Sequence, residues 1–66
     1  MKIIVNGEAR EFAEGLTLLE VLKELSLADK VMAAAINMNI IKQDSWDSTI
    51  IKENDKLELL DFVGGG

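Results

Sequence analysis

The chain has 66 residues, of which 48% are apolar, and it carries a formal charge of −5 at pH 7. This length allows one small domain with an apolar core, and the negative charge argues against binding to a nucleic acid backbone. The sequence contains no histidine and no cysteine. It therefore lacks the side chains that most often serve as general bases, thiolate nucleophiles and zinc ligands, and we expect a protein that is not itself an enzyme.

The first predicted element is a β-hairpin. Residues 1–5 are rich in β-branched side chains, and Asn6-Gly7 follows them. Both central residues of a type I′ turn have positive φ, which Asn and Gly tolerate, so this pair predicts a tight turn. Residues 8–12 then form the returning strand, although a longer loop that includes Glu8 would also connect the two strands.

An amphipathic helix is predicted to begin near Thr17. Thr17 and Glu20 have the spacing of a capping box, in which each side chain accepts a hydrogen bond from the other residue's backbone N–H. Apolar residues then recur at the spacing of one helix face, which predicts a buried stripe. This stripe consists of Leu18, Val21, Leu22 and Leu25. Leu19 lies off the stripe and is expected to be partly exposed, and the helix is expected to end within residues 26–29.

The second half of the chain is predicted to contain three strands. Residues 31–36 are continuously apolar and lie between polar turn residues, which favours a buried strand, although three consecutive alanines would also suit a helix. A short strand is expected at residues 40–42, and the last strand at residues 56–63.

The segments between these strands carry turn signals. Asn37, Asn39 and Asn54 are expected in left-handed turn positions, which asparagine tolerates better than most residues. Residues 44–48 are predicted to form a polar loop or a single helical turn. The indole of Trp46 is expected to hold this segment against the edge of the sheet.

These elements predict an α+β fold in which one helix packs on a mixed sheet of four to five strands. The helix covers one face of the sheet, and placing the last strand beside the first closes the core best. That arrangement is the β-grasp, or ubiquitin-like, fold. Residues 1–63 are expected to form this single domain, and residues 64–66 a flexible C-terminal tail. The residues expected between sheet and helix are Met1, Ile3, Val5, Leu18, Val21, Leu22, Leu25, Leu57 and Leu59.

Strand alternation also predicts an apolar patch on the sheet face opposite the helix. Leu57 and Leu59 are expected to point toward the helix. Ile4, Leu60 and Phe62 would then lie on the opposite face. Scattered exposed apolar residues need no explanation, but three of them beside the tail are interpreted as a partner-binding patch.

The three glycines at positions 64–66 have two interpretations. One is an inert, frayed end or an engineered remnant. The other is that Gly66 carries the reactive group on its α-carboxylate, while Gly64 and Gly65, which lack a Cβ, let the tail enter a narrow channel in a partner enzyme. An α-carboxylate is anionic at pH 7 and a poor electrophile, so it would need activation, usually by ATP-dependent adenylation.

Several short motifs are spread over the whole chain. They are Ile3-x-Val5-Asn6-Gly7, Gly15-x-Thr17 before the helix, Ala35-Ile36-Asn37 with Ile41, Trp46, Asp55-x-Leu57-x-Leu59, and the closing Phe62-Val63-Gly64-Gly65-Gly66. In these motifs, and in its length and element order, the chain resembles the ThiS family of sulfur carriers in thiamin biosynthesis. A terminal pair of glycines alone would be a weak signal. Many relatives have glycine near Asn39 or at Asn54, where asparagine also tolerates positive φ.

The resemblance implies a mechanism that centres on Gly66. An E1-like adenylating enzyme of the ThiF type would use ATP and Mg²⁺ to adenylate the Gly66 carboxylate. Sulfur delivered by a sulfur-donor enzyme, through a cysteine desulfurase route, would displace AMP and give a thiocarboxylate. A thiazole synthase of the ThiG type would then take up that sulfur. The carrier itself would need no cofactor or metal, would bind neither nucleic acid nor membrane, and would be cytoplasmic.

Three alternatives remain open. The chain could be another β-grasp sulfur carrier, either the small subunit of molybdopterin synthase or a carrier of cysteine biosynthesis. It could be a ubiquitin-like modifier in which Gly66 forms an amide with a lysine, or a structural adaptor with an inert tail. Formation of a thiocarboxylate separates the sulfur carriers from the other two classes.

Overall fold

The computed structural model describes residues 1–61, which form five strands, one α-helix and a short 3₁₀ helix. These elements are β1 (Lys2–Val5), β2 (Glu8–Glu11), α1 (Leu18–Glu24), β3 (Val31–Ile36), β4 (Asn39–Ile41), the 3₁₀ helix (Gln43–Ser45) and β5 (Lys56–Asp61). Within the described range, no helix is long and apolar enough to cross a membrane. Positions 62 and 63 of the predicted last strand, and the predicted tail, lie outside the described residues.

The strands form one mixed sheet in the order β2-β1-β5-β3-β4. The last strand, β5, lies at the centre, parallel to β1 and antiparallel to β3. The hairpins β1–β2 and β3–β4 flank it on either side. The insertion of the last strand beside the first confirms the predicted β-grasp fold.

The first hairpin closes with the predicted two-residue turn. Val5 pairs with Glu8 across the turn, so the longer loop that included Glu8 is wrong. Asn6 and Gly7 have φ angles of 48° and 88°. These positive values are those of a type I′ turn, whose twist matches that of the two flanking strands.

The predicted capping box begins the helix. The Glu20 N–H donates to Thr17 Oγ1 at 3.1 Å, and the Thr17 N–H donates to Glu20 Oε1 at 2.8 Å. The helix ends at Glu24, slightly before the predicted range of residues 26–29. It ends there because Ser26 adopts a left-handed conformation with a φ of 60°, which turns the backbone away from the helix.

The helix and the inner face of the sheet enclose an apolar core. Among the predicted core residues, Met1 and Leu25 are only partly buried and pack at the margin. The prediction did not include Ile51, which is buried, or the inner residues of β3. The buried core residues are Ile3, Val5, Leu18, Val21, Leu22, Val31, Ala34, Ile36, Trp46, Ile51, Leu57 and Leu59.

Trp46 joins the segment after β4 to this core. Its side chain is only 2% exposed, and its indole N–H donates to the carbonyl of Ile41 at 2.9 Å. Ile41 is the last residue of the edge strand β4. The single helical turn predicted here is the 3₁₀ helix that immediately precedes Trp46, and the indole holds it to the sheet edge as expected.

The turn between β3 and β4 differs from the prediction at one position. Asn37 and Asn54 have the expected positive φ angles, 50° and 69°. Asn39 does not, because it already belongs to β4 and pairs with Ile36. A two-residue turn needs two adjacent left-handed residues, so Met38, with a φ of 73°, takes the position predicted for Asn39.

Candidate docking face and base of the tail

The end of β5 is the base from which the chain continues toward its glycines. Asp61, the last described residue, pairs with Val31 at the beginning of β3. On the other side of β5, the Leu59 N–H donates to the side-chain Oδ1 of Asn6 at 2.7 Å. The predicted sulfur-carrying Gly66, together with Gly64 and Gly65, lies outside the described residues, so these assignments stay predictions.

Two of the three predicted patch residues, Ile4 and Leu60, share the outer face of the sheet, but they are well separated. Ile4 is half-buried and pairs with Lys56, whereas Leu60 is 64% exposed. Since Leu60 follows Lys56 by four positions, it lies roughly 13 Å farther along β5. Phe62 lies outside the described residues. Ile4 therefore lies away from the apolar surface around Leu60, and the partner-binding role of the three residues stays a prediction.

A different set of residues surrounds Leu60. The strand register places Ala33 beside Leu60, and places Ala35 beside Ile40. Ile40 and Met32 are 72% and 65% exposed. Together these side chains form an outer apolar strip that crosses β5, β3 and β4. The strip consists of Met32, Ala33, Ala35, Ile40 and Leu60.

The sequence contained a signal for this strip that the prediction did not use. The run from Val31 to Ile36 is apolar at every position, whereas a strand with one solvated face alternates. The inner residues of β3 face the core, so its remaining apolar residues must lie on the outer face. With no second helix over that face in residues 1–61, the strip is accessible to another protein.

No catalytic centre is evident in the described part of the chain. All buried residues within 1–60 are apolar, so none of these supplies the desolvated acid or base that acid–base catalysis uses. The same residues contain no group of three or more carboxylates that could hold a metal ion. What residues 1–61 do provide is an exposed apolar surface beside the base of the tail.

Comparison with known proteins assigns the family. Residues 3–66 match the sequence model of the ThiS family. The chain is 32% identical over 66 residues to the sulfur carrier protein ThiS of Escherichia coli (strain K12), and the match spans 100% of both chains. It superposes with a TM-score of 0.82 on the crystal structure of a thiamine biosynthesis protein (ThiS) from Geobacter metallireducens, which is 33% identical and fully covered.

Longer proteins also contain a similar segment. The chain is 35% identical over 66 residues to a thiazole synthase of Paramagnetospirillum magneticum, a match that covers 100% of this chain but 20% of that protein. A thiazole synthase of Magnetococcus marinus shows 32% identity with the same coverage. The chain thus spans about a fifth of the length of these two relatives. Because the family match extends over almost every residue and the E. coli carrier aligns end to end, the chain belongs to the ThiS family.

Proposed function

We propose that this chain is a sulfur carrier of thiamin biosynthesis, that Gly66 carries the sulfur, and that the chain is a co-substrate and not an enzyme. The end-to-end match to the E. coli sulfur carrier protein ThiS is the observation that carries this proposal. The sequence supports it further, since Gly64-Gly65-Gly66 follow the central strand by only two residues. We also propose that the protein acts in the cytoplasm.

The proposed chemistry begins at the α-carboxylate of Gly66, which must be the terminal residue of the mature protein. On an E1-like enzyme of the ThiF type, with Mg²⁺, a carboxylate oxygen attacks the α-phosphorus of ATP and pyrophosphate leaves. A sulfur nucleophile at the oxidation level of hydrosulfide, supplied by a donor enzyme, then attacks the acyl carbon. The new C–S bond replaces the C–O bond to AMP, and the product is a thiocarboxylate. ATP and Mg²⁺ belong to the partner enzyme, and the carrier needs no cofactor.

The fold suits this role because it provides a stable base for the glycines that follow. β5 pairs with β1 as far as Leu57 and with β3 as far as Asp61, so the sheet holds its end in place. Three extended glycines add roughly 10 Å to the reach of the chain. Because Gly64, Gly65 and Gly66 have no Cβ, they can pass through a channel too narrow for any other residue.

Two partner enzymes are proposed to dock beside this base. They are the ThiF-type adenylating enzyme and a thiazole synthase of the ThiG type, which accepts the sulfur. The outer apolar strip supports docking at this place. Leu60 lies next to the end of β5, and Ile40 continues the exposed apolar surface on β4. The two thiazole synthases that contain a segment similar to this chain support the second pairing.

Intact-mass measurement tests the proposal. The wild-type chain, incubated with ATP, Mg²⁺, a ThiF-type enzyme and a sulfur source, is expected to exchange one oxygen of Gly66 for sulfur. Two control variants, one lacking Gly66 and one extended by a single alanine, should remain folded and unmodified, because the carboxylate is then misplaced relative to the ATP α-phosphate.

Three results would contradict the sulfur-carrier role: no modification of the wild type, equal modification of the extended variant, or Gly66 in an amide bond with a lysine. The last would indicate a ubiquitin-like modifier instead. Preferential binding to molybdopterin synthase over thiazole synthase would assign the carrier to a different pathway.

A further inference from the structure

We infer that Asn6 is a positioning residue for the tail, because its side chain supplies the last hydrogen bond that holds β5 to the first hairpin. This inference rests on the proposed function of Gly66. It concerns the direction in which β5 leaves the sheet, and therefore the placement of the carboxylate in the adenylating enzyme.

The backbone hydrogen bonds between β1 and β5 show how Asn6 takes this role. The Ile4 N–H donates to the carbonyl of Asp55, and the Asn6 N–H donates to the carbonyl of Leu57, both at 2.9 Å. In a parallel ladder that continued, the main-chain carbonyl of Asn6 would accept the next bond, from the Leu59 N–H.

The backbone cannot supply that acceptor, because the chain turns at Asn6 with a φ of 48°. The side-chain Oδ1 of Asn6 takes its place and accepts the Leu59 N–H at 2.7 Å. Leu59 is only 9% exposed, so its N–H depends on a protein partner. The side chain thus lengthens the ladder by one bond after β1 has ended.

This bond matters because the pairing on the opposite side of β5 becomes irregular just beyond Leu59. Val31 pairs with Asp61 and Ala33 pairs with Leu60, so β3 has one residue more than β5 between these two pairs. A bulge of this kind interrupts regular pairing and bends the strand that contains it. On the β1 side, where strand pairing stops at Leu57, the contact from Asn6 is the described constraint nearest to the end of β5.

Position 6 must meet two separate requirements, and substitutions can distinguish them. The turn requires positive φ, which glycine, asparagine and aspartate all tolerate. The ladder requires a side-chain oxygen, which asparagine and aspartate have and glycine lacks. Asn6→Gly therefore keeps the turn and removes the acceptor, whereas Asn6→Asp keeps both. Thr17→Ala serves as a matched control, since it removes the Oγ1 acceptor of Glu20 N–H at the N-terminus of α1.

The experiment measures adenylation kinetics and the hydrogen exchange of the Leu59 amide in the wild type and the three variants. We expect Asn6→Gly to exchange faster at Leu59. A displacement of about 1 Å can lower a rate about a hundredfold, so we expect kcat to fall about tenfold or more while KM stays within about twofold. Asn6→Asp should restore both kcat and exchange. Thr17→Ala should lose a comparable amount of stability and keep the wild-type kcat.

Each outcome decides a different point. If Asn6→Gly is adenylated with the wild-type kcat, or if its Leu59 amide exchanges as in the wild type, the positioning role is wrong, while the sulfur-carrier role stands. If kcat falls in Thr17→Ala as much as in Asn6→Gly, Asn6 affects adenylation only by stabilising the domain, and the positioning role is wrong. If the wild type is not adenylated at all, the proposed function fails and the positioning role fails with it.

Discussion

Replacing Leu22 by alanine is expected to remove a large part of the free energy of unfolding. Leu22 is fully buried at the centre of α1, where it faces the sheet. Truncating a buried leucine to alanine costs about 2–5 kcal/mol, depending on how far the cavity collapses. A domain of this size has a total stability of only about 3–10 kcal/mol, on the scale of about 0.05–0.15 kcal/mol per residue. A seven-residue helix is also too short to persist without its packing.

Urea unfolding monitored by the fluorescence of Trp46 measures this loss. Trp46 is the single tryptophan, and it is buried in the same core, so its emission should report global unfolding. With a slope of about 1 kcal/mol per M urea, a loss of 2 kcal/mol lowers the midpoint by about 2 M. Leu19→Ala is the control, because Leu19 is partly exposed and off the buried stripe, and it should cost less. An unchanged midpoint for Leu22→Ala, or an equal loss for the two variants, would show that the helix is wrongly placed.

Five further substitutions test other parts of the molecule. Leu60→Asp should change the free energy of unfolding by less than about 1 kcal/mol, because Leu60 is exposed. It should weaken binding to the ThiF-type enzyme and to thiazole synthase about tenfold, as measured by calorimetry. Ile4→Asp, on the same face but distant from the strip, should weaken binding less, and an equal effect would contradict the separation of the two residues. Ser26→Gly and Met38→Gly should each stabilise the domain by about 0.5–1 kcal/mol and so raise the urea midpoint, because both residues have a positive φ that glycine adopts without strain. A lower midpoint would show that the replaced side chains stabilise the domain by more than the backbone strain costs. Trp46→Phe removes the hydrogen bond from the indole to the Ile41 carbonyl and part of a buried side chain, and it should cost about 1–3 kcal/mol in thermal or urea unfolding. An unaffected variant would show that neither contributes to stability.

Local signals in the sequence predicted most of the fold. The Asn6-Gly7 turn and the Thr17–Glu20 capping box each depend on two or three neighbouring residues, so tertiary packing did not alter them. The position of β5 followed from the need to close the core over one helix. Errors arose where a choice between adjacent residues depended on strand register, as at Met38 and Asn39.

The docking face was harder to predict, because it depends on which residues from different strands become neighbours. Alternation within β5 correctly placed Leu60 on the outer face. It could not show that Ile4 pairs with Lys56, since that register is set by contacts between strands that are far apart in sequence. It also could not bring Ile40 to the same strip, which required the β3–β4 register.

The central position of β5 links the stability of the domain to the proposed chemistry of its tail. β5 forms ladders with β1 and β3 at once, and Leu57 and Leu59 anchor it in the core. Detaching the base of the tail therefore requires breaking two ladders and exposing buried apolar surface, which amounts to opening most of the domain. An edge strand in the same role could detach at much lower cost. The proposed carrier presents one carboxylate to successive enzymes, and this arrangement gives its tail a constant starting point. Asn6 extends that constraint by one further hydrogen bond toward the end of β5.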